Sequence, residues 1–272
     1  MRMKAYIINL KRSAKRREHI VAEADKTGLE YSIVDAVDGA LLSDDELDEL
    51  CDMDIVRKYP EWLSRGMIGC VLSHKRSYLE FLETDDKAAM IIEDDAVLPA
   101  NLRSIAERAA EWLKPDNVQL FFYSCFDPLK LSTANGIDLG DGQSLLYPMT
   151  LEGVTGGVCY VIGREAARAM AEDNVPISLA SDCWEHFQTR GYIKRVQCVY
   201  PMSVDHLGVK SVISATVQTG ARAWLTNLVD KYEVPLIYRT LQRKRQANVS
   251  VRLKFMLTDE KSPFDNDATS IP

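Results

Sequence analysis

Residues 87–99 read KAAMIIEDDAVLP, and the switch from apolar to acidic inside this stretch decides the fold. Residues 88–92 carry no polar side chain. So short a run, flanked by charge, predicts a central strand covered on both faces. Glu93, Asp94 and Asp95 then fall at its C-terminal end. Upstream, AYIINL (5–10) predicts another short buried strand. The stretch KRSAKRREHIVAEADKTG (11–28) predicts a helix, with Ser13 placed to cap it and Gly28 to stop it. YSIVDAV (31–37) predicts a second strand closed by the turn signal Asp38-Gly39. This β-α-β order favours a parallel sheet and an α/β fold.

Between these blocks, residues 43–54 (SDDELDELCDMD) carry seven acids. Helical spacing distributes such carboxylates around a surface, so this reads as a solvated helix starting at Ser43 rather than a cation site. GMIGCVLSHKRSYLEFLETDD (66–86) predicts a buried helix. Downstream, helices are expected at 101–113 and 164–173, and strands at 118–125 and 157–163. Residues 127–150, rich in Gly, Asp, Ser and Pro, are expected to loop outward.

A carboxylate at the C-terminal end of a parallel strand stands where open α/β sheets bind ligands. In an extended chain Glu93 and Asp95 share a face and Asp94 points away; at a bend all three are available. Hard oxygen ligands suit Mg²⁺ or Mn²⁺. The alternative is a wet turn at a strand end, and the triplet alone does not separate the two.

The chain has 272 residues, of which 46% are hydrophobic and 27% charged, enough for one large domain. A net charge of −7 argues against a nucleic-acid partner. No stretch approaches the roughly 20 apolar residues of a membrane span, and residues 5–10 are too short for an export signal. The six cysteines show no CxxC pair and read as reduced core thiols, which points to a cytoplasmic protein. Residues 234–258 hold six Arg or Lys and no acid. They form either a basic face packed on the domain or a patch that docks on an anionic membrane surface, making the protein peripheral on the inner face of the cytoplasmic membrane. The expected organisation is a catalytic unit over 1–232, a basic and helical segment over 233–260, and a disordered tail over 261–272.

Four blocks in order resemble glycosyltransferase family 25: AYIINLKRSAKRREHI, YSIVDAVDGALL, RGMIGCVLSHKRSYLEFLE leading to AMIIEDDAVL, and GGVCYVIGREAARAM followed by ISLASD. The resemblance implies a GT-A-type nucleotide-binding sandwich with a mixed, mainly parallel sheet flanked by helices. It implies an inverting transfer, usually of β-linked galactose from UDP-galactose, to a saccharide or glycolipid acceptor such as a lipopolysaccharide core. It implies a Mn²⁺ or Mg²⁺ ion, whose Lewis acidity stabilises the departing diphosphate. Carried onto this chain, Asn9, Leu10, Arg12, Arg16, Asp38 and Gly39 lie near the nucleotide, with Arg16 the better phosphate ligand of the Arg16-Arg17 pair. Gly69, Ser73 and His74 match the signature helix; His74 either contacts the donor or is a core histidine. Asp95 holds the metal, Glu93 or Asp94 reaches the ribose or a metal-bound water, and Glu93 doubles as a metal ligand. His206 is the third ligand, or a lone surface histidine. Asp182 is the general base with Glu185 close behind, unless the two simply cap a helix that begins at Ser181. Ser211 and Ile213 belong near the diphosphate. Met67 stands where the family often has glutamate, which puts donor or acceptor specificity in doubt. The competing reading is a non-catalytic nucleotide-sugar or carbohydrate-binding module of the same fold. A phosphoryl enzyme built on the triplet is disfavoured, because the chain has no G-x-x-x-x-G-K-[ST] run.

Overall fold

The structure, a computed structural model, describes residues 3–125, 128–207 and 255–265. The chain opens with β1 (Lys4–Asn9), α1 (Ala14–Thr27) and β2 (Tyr31–Asp35). α1 ends where Gly28 adopts φ 66°, the left-handed conformation that terminates helices. After a single 3₁₀ turn (Gly39–Leu41) come α2 (Asp44–Leu50), α3 (Met53–Lys58) and α4 (Arg65–Leu82). β3 (Ala88–Glu93) then enters the sheet on the other side of β1. Both β2 and β3 run parallel to β1, with Ile8 opposite Glu93, so the C-terminal ends of β1 and β3 lie side by side.

The chain continues through β4 (Ala96–Val97), α5 (Leu102–Ala110), β5 (Asn117–Leu120), β6 (Ser124–Cys125), β7 (Leu129–Gly140), β8 (Gln143–Pro148) and β9 (Val154–Thr155). It closes with β10 (Cys159–Gly163), α6 (Arg164–Glu172), α7 (Trp184–Thr189), β11 (Arg195–Tyr200), β12 (Asp205–His206) and β13 (Phe255–Thr258). Nine strands form one mixed sheet in the order β13-β7-β8-β11-β5-β10-β3-β1-β2. β10 runs antiparallel between β3 and β5 and so joins the parallel unit β2-β1-β3 to the rest.

The apolar run at 88–92 is explained by two cores. Ala89 and Ile91 face one, shared with Tyr78 and Phe81 of α4 and Ala166 and Met170 of α6. Ala88, Met90 and Ile92 face the other, shared with Ile20 of α1 and Ile105 and Ala109 of α5. A strand covered on both faces has no place for a polar residue until it leaves the sheet. Each fully buried Ile contributes roughly 1.5–3 kcal/mol, so the position of the acidic end is firmly held. All six cysteines are free thiols, with Cys51, Cys125, Cys159 and Cys198 buried.

Four regions differ from the sequence reading. Of the stretch 127–150 expected to loop outward, the described residues 128–150 do not: β7 and β8 form an antiparallel hairpin whose Leu131, Leu139, Leu145 and Leu146 are buried. Its two-residue turn is Asp141-Gly142, with φ 55° and 74°, which is the geometry that Asp-Gly favours between strands. The strand expected over 118–125 breaks after Leu120, because the amides of Phe121 and Phe122 both bond to the Cys159 carbonyl and turn the chain away. The acidic stretch 43–54 is two helices rather than one. Ser43 and Glu46 make a capping box on α2, and Asp52 caps α3. At the C-terminal end, residues 255–258 are a strand paired in parallel with β7, not a helix, and Ser262 and Asp265 are buried rather than disordered. Ser262 Oγ donates to the Pro148 carbonyl, and Asn135 bonds Asp265. The remainder of the basic segment, Ser211, Ile213 and the last residues of the tail lie outside the described residues.

Candidate functional site

The strand ends at Glu93, and Asp94-Asp95 form a turn, so the three carboxylates diverge instead of alternating. Asp94 points under β1, where Asn9 Nδ2 donates to its Oδ2 at 2.7 Å and Arg16 Nη1 to its Oδ1 at 2.9 Å. Arg16 Nη2 also lies 3.6 Å from Asp95 Oδ2, so one guanidinium holds two acids of the triplet. Glu93 turns to the other side, where its Oε1 is 3.4 Å from His74 Nε2. Burial, reinforced by Glu93 and Asp94, pushes the Asp95 carboxyl up to about 6 against the opposing pull of Arg16 and His206.

α4 supplies the far wall. Cys70 and His74 stand one helical turn apart on one face. Among the described residues, Cys70, His74 and Glu93 are a group whose potential ligand atoms converge, all within 4.8 Å of one another. His74 Nδ1 is 2.8 Å from the Tyr160 hydroxyl, which in turn bonds Tyr78, so the ring is fixed from behind. Burial disfavours the imidazolium, but Cys70 and Glu93 outweigh it, and the His74 pKa is raised. His74 is therefore a buried histidine and a neighbour of the triplet at once.

Two predicted glycines have a packing reason. A Cβ on Gly69 would come within 2.6 Å of the Gly39 amide and 2.7 Å of the Val37 carbonyl. α4 packs its backbone against the Asp38-Gly39 turn, and Ser73 clamps it by accepting from Val37 N at 2.8 Å. Gly39, Gly69 and Ser73 thus shape the wall. Arg12 pairs with Asp38 (2.5 and 3.1 Å) at the rim and holds its carboxyl below the usual range.

These walls enclose a cavity of about 270 Å³. Leu10, Arg12, Arg16, Asp38, Gly39, Ser73, His74 and the whole triplet line it, together with Cys70 and Arg65. Most of the predicted nucleotide residues are therefore gathered in one place. Asn9 lies behind Asp94, and Gly69 is packed on the turn. Asp95 Oδ1 and Asn9 Oδ1 are buried without a hydrogen-bond partner among the described residues. Asp95 Oδ1 is an orphaned carboxylate oxygen of the kind a hard divalent cation such as Mn²⁺ or Mg²⁺ satisfies, whereas the expected trio Glu93, Asp95 and His206 does not converge as one ligand group among the described residues, where Glu93 groups with Cys70 and His74 instead.

Asp182 approaches from a third direction. It precedes α7, and its Oδ2 accepts from Gly156 N at 2.8 Å rather than capping the helix, whose N-cap position is Cys183. Ser181 is not the cap. Burial, opposed by the Gly156 bond and aided by Glu93, raises the Asp182 pKa. A Cβ on Gly157 would sit 3.3 Å from Glu93 Oε1, 3.4 Å from the His74 ring and 3.7 Å from Asp182 Cβ. Gly157 thus marks a buried, tightly packed point where these three groups face one another. Glu185 lies a turn further on, in the wall of a separate cavity. His206 pairs with Ala96 across the β12–β4 ladder, directly after the triplet, and Leu207 N bonds the Asp95 carbonyl. Its ring packs edge-on to Phe122, 5.1 Å between centroids.

The sequence reading missed Cys70, Tyr160, Arg65 and Gly157. Cys70 was signalled by its spacing from His74, and Gly157 by the GGV preceding β10. Tyr160 carried no signal, because it reaches His74 from the antiparallel strand β10.

Comparison with known proteins agrees with this arrangement. The family described as Glycosyltransferase family 25 (LPS biosynthesis protein) matches residues 2–184, which include the triplet, α4 and Asp182. Human procollagen galactosyltransferase 2 is 34% identical over 95 residues, 33% of this chain and 15% of that protein. A putative glycosyltransferase of Haemophilus influenzae is 27% identical over 184 residues, 65% of this chain and 60% of that protein. Human inactive glycosyltransferase 25 family member 3 is 30% identical over 111 residues, 39% of this chain and 18% of that protein. In each case the chain spans less than two thirds of the relative's length.

Proposed function

The chain belongs to glycosyltransferase family 25, and from that premise we propose that it transfers a hexose, galactose from UDP-galactose, with inversion to a saccharide acceptor of the lipopolysaccharide-core kind. The observation that carries this reading is the Glu93-Asp94-Asp95 turn, which opens into the cavity with a buried, unbonded Asp95 oxygen. The name of the human relative supports galactose as the sugar. The family description, which names lipopolysaccharide biosynthesis, supports an acceptor of that kind.

Asp95 and Glu93, with His206 on the adjoining strand, are the residues that would hold Mn²⁺ or Mg²⁺. The ion when bound supplies Lewis acidity to the diphosphate. The protein does the rest. Arg16 keeps Asp94 and Asp95 in place, and Asn9 and Arg16 together leave Asp94 no freedom to turn. Arg12 and Arg65 bring guanidinium groups to the cavity wall, where they can donate to a diphosphate leaving group. Asp182 takes the acceptor proton. Its raised pKa brings it closer to the working pH, as a general base requires, and the Gly156 bond fixes its orientation.

A screen of UDP-sugars, reading released UDP with and without Mn²⁺, tests this. UDP-galactose turnover that needs Mn²⁺ is expected. Full turnover in excess chelator would remove the metal from the account. Binding of UDP-galactose with no transfer or hydrolysis would favour a non-catalytic binding module, the state that the name of one human relative describes.

A further inference from the structure

A second cavity, of about 520 Å³, is lined by residues close in sequence to those around the first. The two share a partition. Leu63 lines the second and Arg65 the first, on either side of the α4 cap Ser64. Ala180 and Cys183 line the second, and between them Ser181 Oγ is 3.3 Å from the sulfur of Cys70, which lines the first. Asp182 is therefore part of the partition itself. A base that serves a reaction between two substrates belongs between their sites.

The second cavity differs in chemistry from the first. Buried Leu151, Val154 and Leu179 form its floor. Tyr59 and Trp62, 42% and 49% exposed, stand in its wall, and Glu185 supplies a carboxylate. Arg190, its one guanidinium, donates to Ser178 Oγ at 2.8 Å. It has nothing like the Arg12, Arg16, Arg65 and His74 set of the first cavity, so a diphosphate would gain little there. An acyl chain would leave Glu185 unpaired. A neutral pyranose suits both halves, with its apolar C–H face on an indole and its hydroxyls on a carboxylate.

We propose that this cavity is the acceptor subsite, holding the terminal pyranose of a neutral saccharide on Trp62 with its hydroxyls toward Glu185. The inference rests on the transferase reading. One acceptor hydroxyl is directed toward Asp182. Its oxygen bonds to the anomeric carbon as the bond from that carbon to the diphosphate oxygen breaks. The electron pair leaves with UDP, and the hydroxyl proton passes to Asp182.

The test is saturation-transfer NMR with lactose and methyl β-galactoside on the full chain without donor, followed by the saccharide and UDP-galactose KM values. We expect saccharide signals with the wild type that vanish in Trp62→Ala and return in Trp62→Phe. Trp62→Ala should raise the saccharide KM about tenfold more than the UDP-galactose KM. Glu185→Gln, on the surface of α7 where folding is not at risk, should shift the saccharide KM in the same direction. Saccharide signals and KM values unchanged in both variants would overturn the subsite. Absence of any UDP-sugar turnover in a wild type whose saccharide signals still depend on Trp62 would instead overturn the transferase reading and leave the saccharide site standing.

Discussion

Seven acids in residues 44–54 and three in residues 93–95 make two acidic regions of this protein that behave in opposite ways. In the first, the Asp44 and Asp54 side chains are 87% and 98% exposed, and the acids serve helix ends, as in the Ser43–Glu46 capping box. In the second, Asp94 and Asp95 are 10% and 15% exposed, and every carboxylate is aimed by a named neighbour. The number of acids decides nothing. A site arises where a strand buried on both faces delivers its first polar residues to a cavity, at the end of a parallel sheet.

The largest expected contrast between the two regions is catalytic. Asp95→Ala should lower UDP-galactose turnover about 10³-fold, the several kcal/mol that a metal contributes to a departing diphosphate. Asp48→Ala in the exposed stretch should leave it within about twofold. Equal losses would erase the distinction. Next in size is a steric plug. Gly157→Val adds methyl groups between Glu93, His74 and Asp182 and should cost about 10²-fold in kcat/KM, together with a Tm loss of several degrees because the position is buried and tightly packed. A normal rate would show that the reacting atoms do not meet there.

A third contrast is in stability. The fold raises the Asp95 pKa from 3.8 to about 6, so it favours the protonated acid. That contribution is complete below about pH 4 and is lost as pH rises through 6. In metal-free urea melts, Asp95→Asn should therefore be more stable than the wild type by about 2–3 kcal/mol at pH 7, with the gap closing near pH 4. A pH-independent gap would contradict the buried-acid account. The smallest effect belongs to the exposed region. Ser43→Ala removes a helix cap and should cost about 1 kcal/mol of stability at unaltered turnover.

Much of this contrast was legible in the sequence. AAMII announced a doubly covered strand because no polar residue interrupts it, and SDDE announced a capped surface helix. The cavity-lining residues were legible through the family blocks, since they sit at strand ends and on one helix face. The direction of each triplet side chain was not, because the strand stops at Glu93 and the following turn cancels the expected alternation. Arg16, expected on phosphate, lines the cavity and also bridges Asp94 and Asp95, a long-range contact that spacing alone cannot show. The β7–β8 hairpin was signalled by Asp141-Gly142 between alternating apolar residues, but the surrounding Gly, Asp and Ser obscured it. His74 is a core histidine through its bond to Tyr160, and it also touches Glu93 in the cavity wall.

The central claim is that the buried triplet, and not the exposed acids, binds the ion that accompanies the donor. Titration of Mn²⁺ in the presence of UDP, followed by electron paramagnetic resonance, measures it directly. One tight site in the wild type and in Asp48→Ala, lost in Asp95→Ala, is the expected result. The same tight site surviving in Asp95→Ala would contradict it.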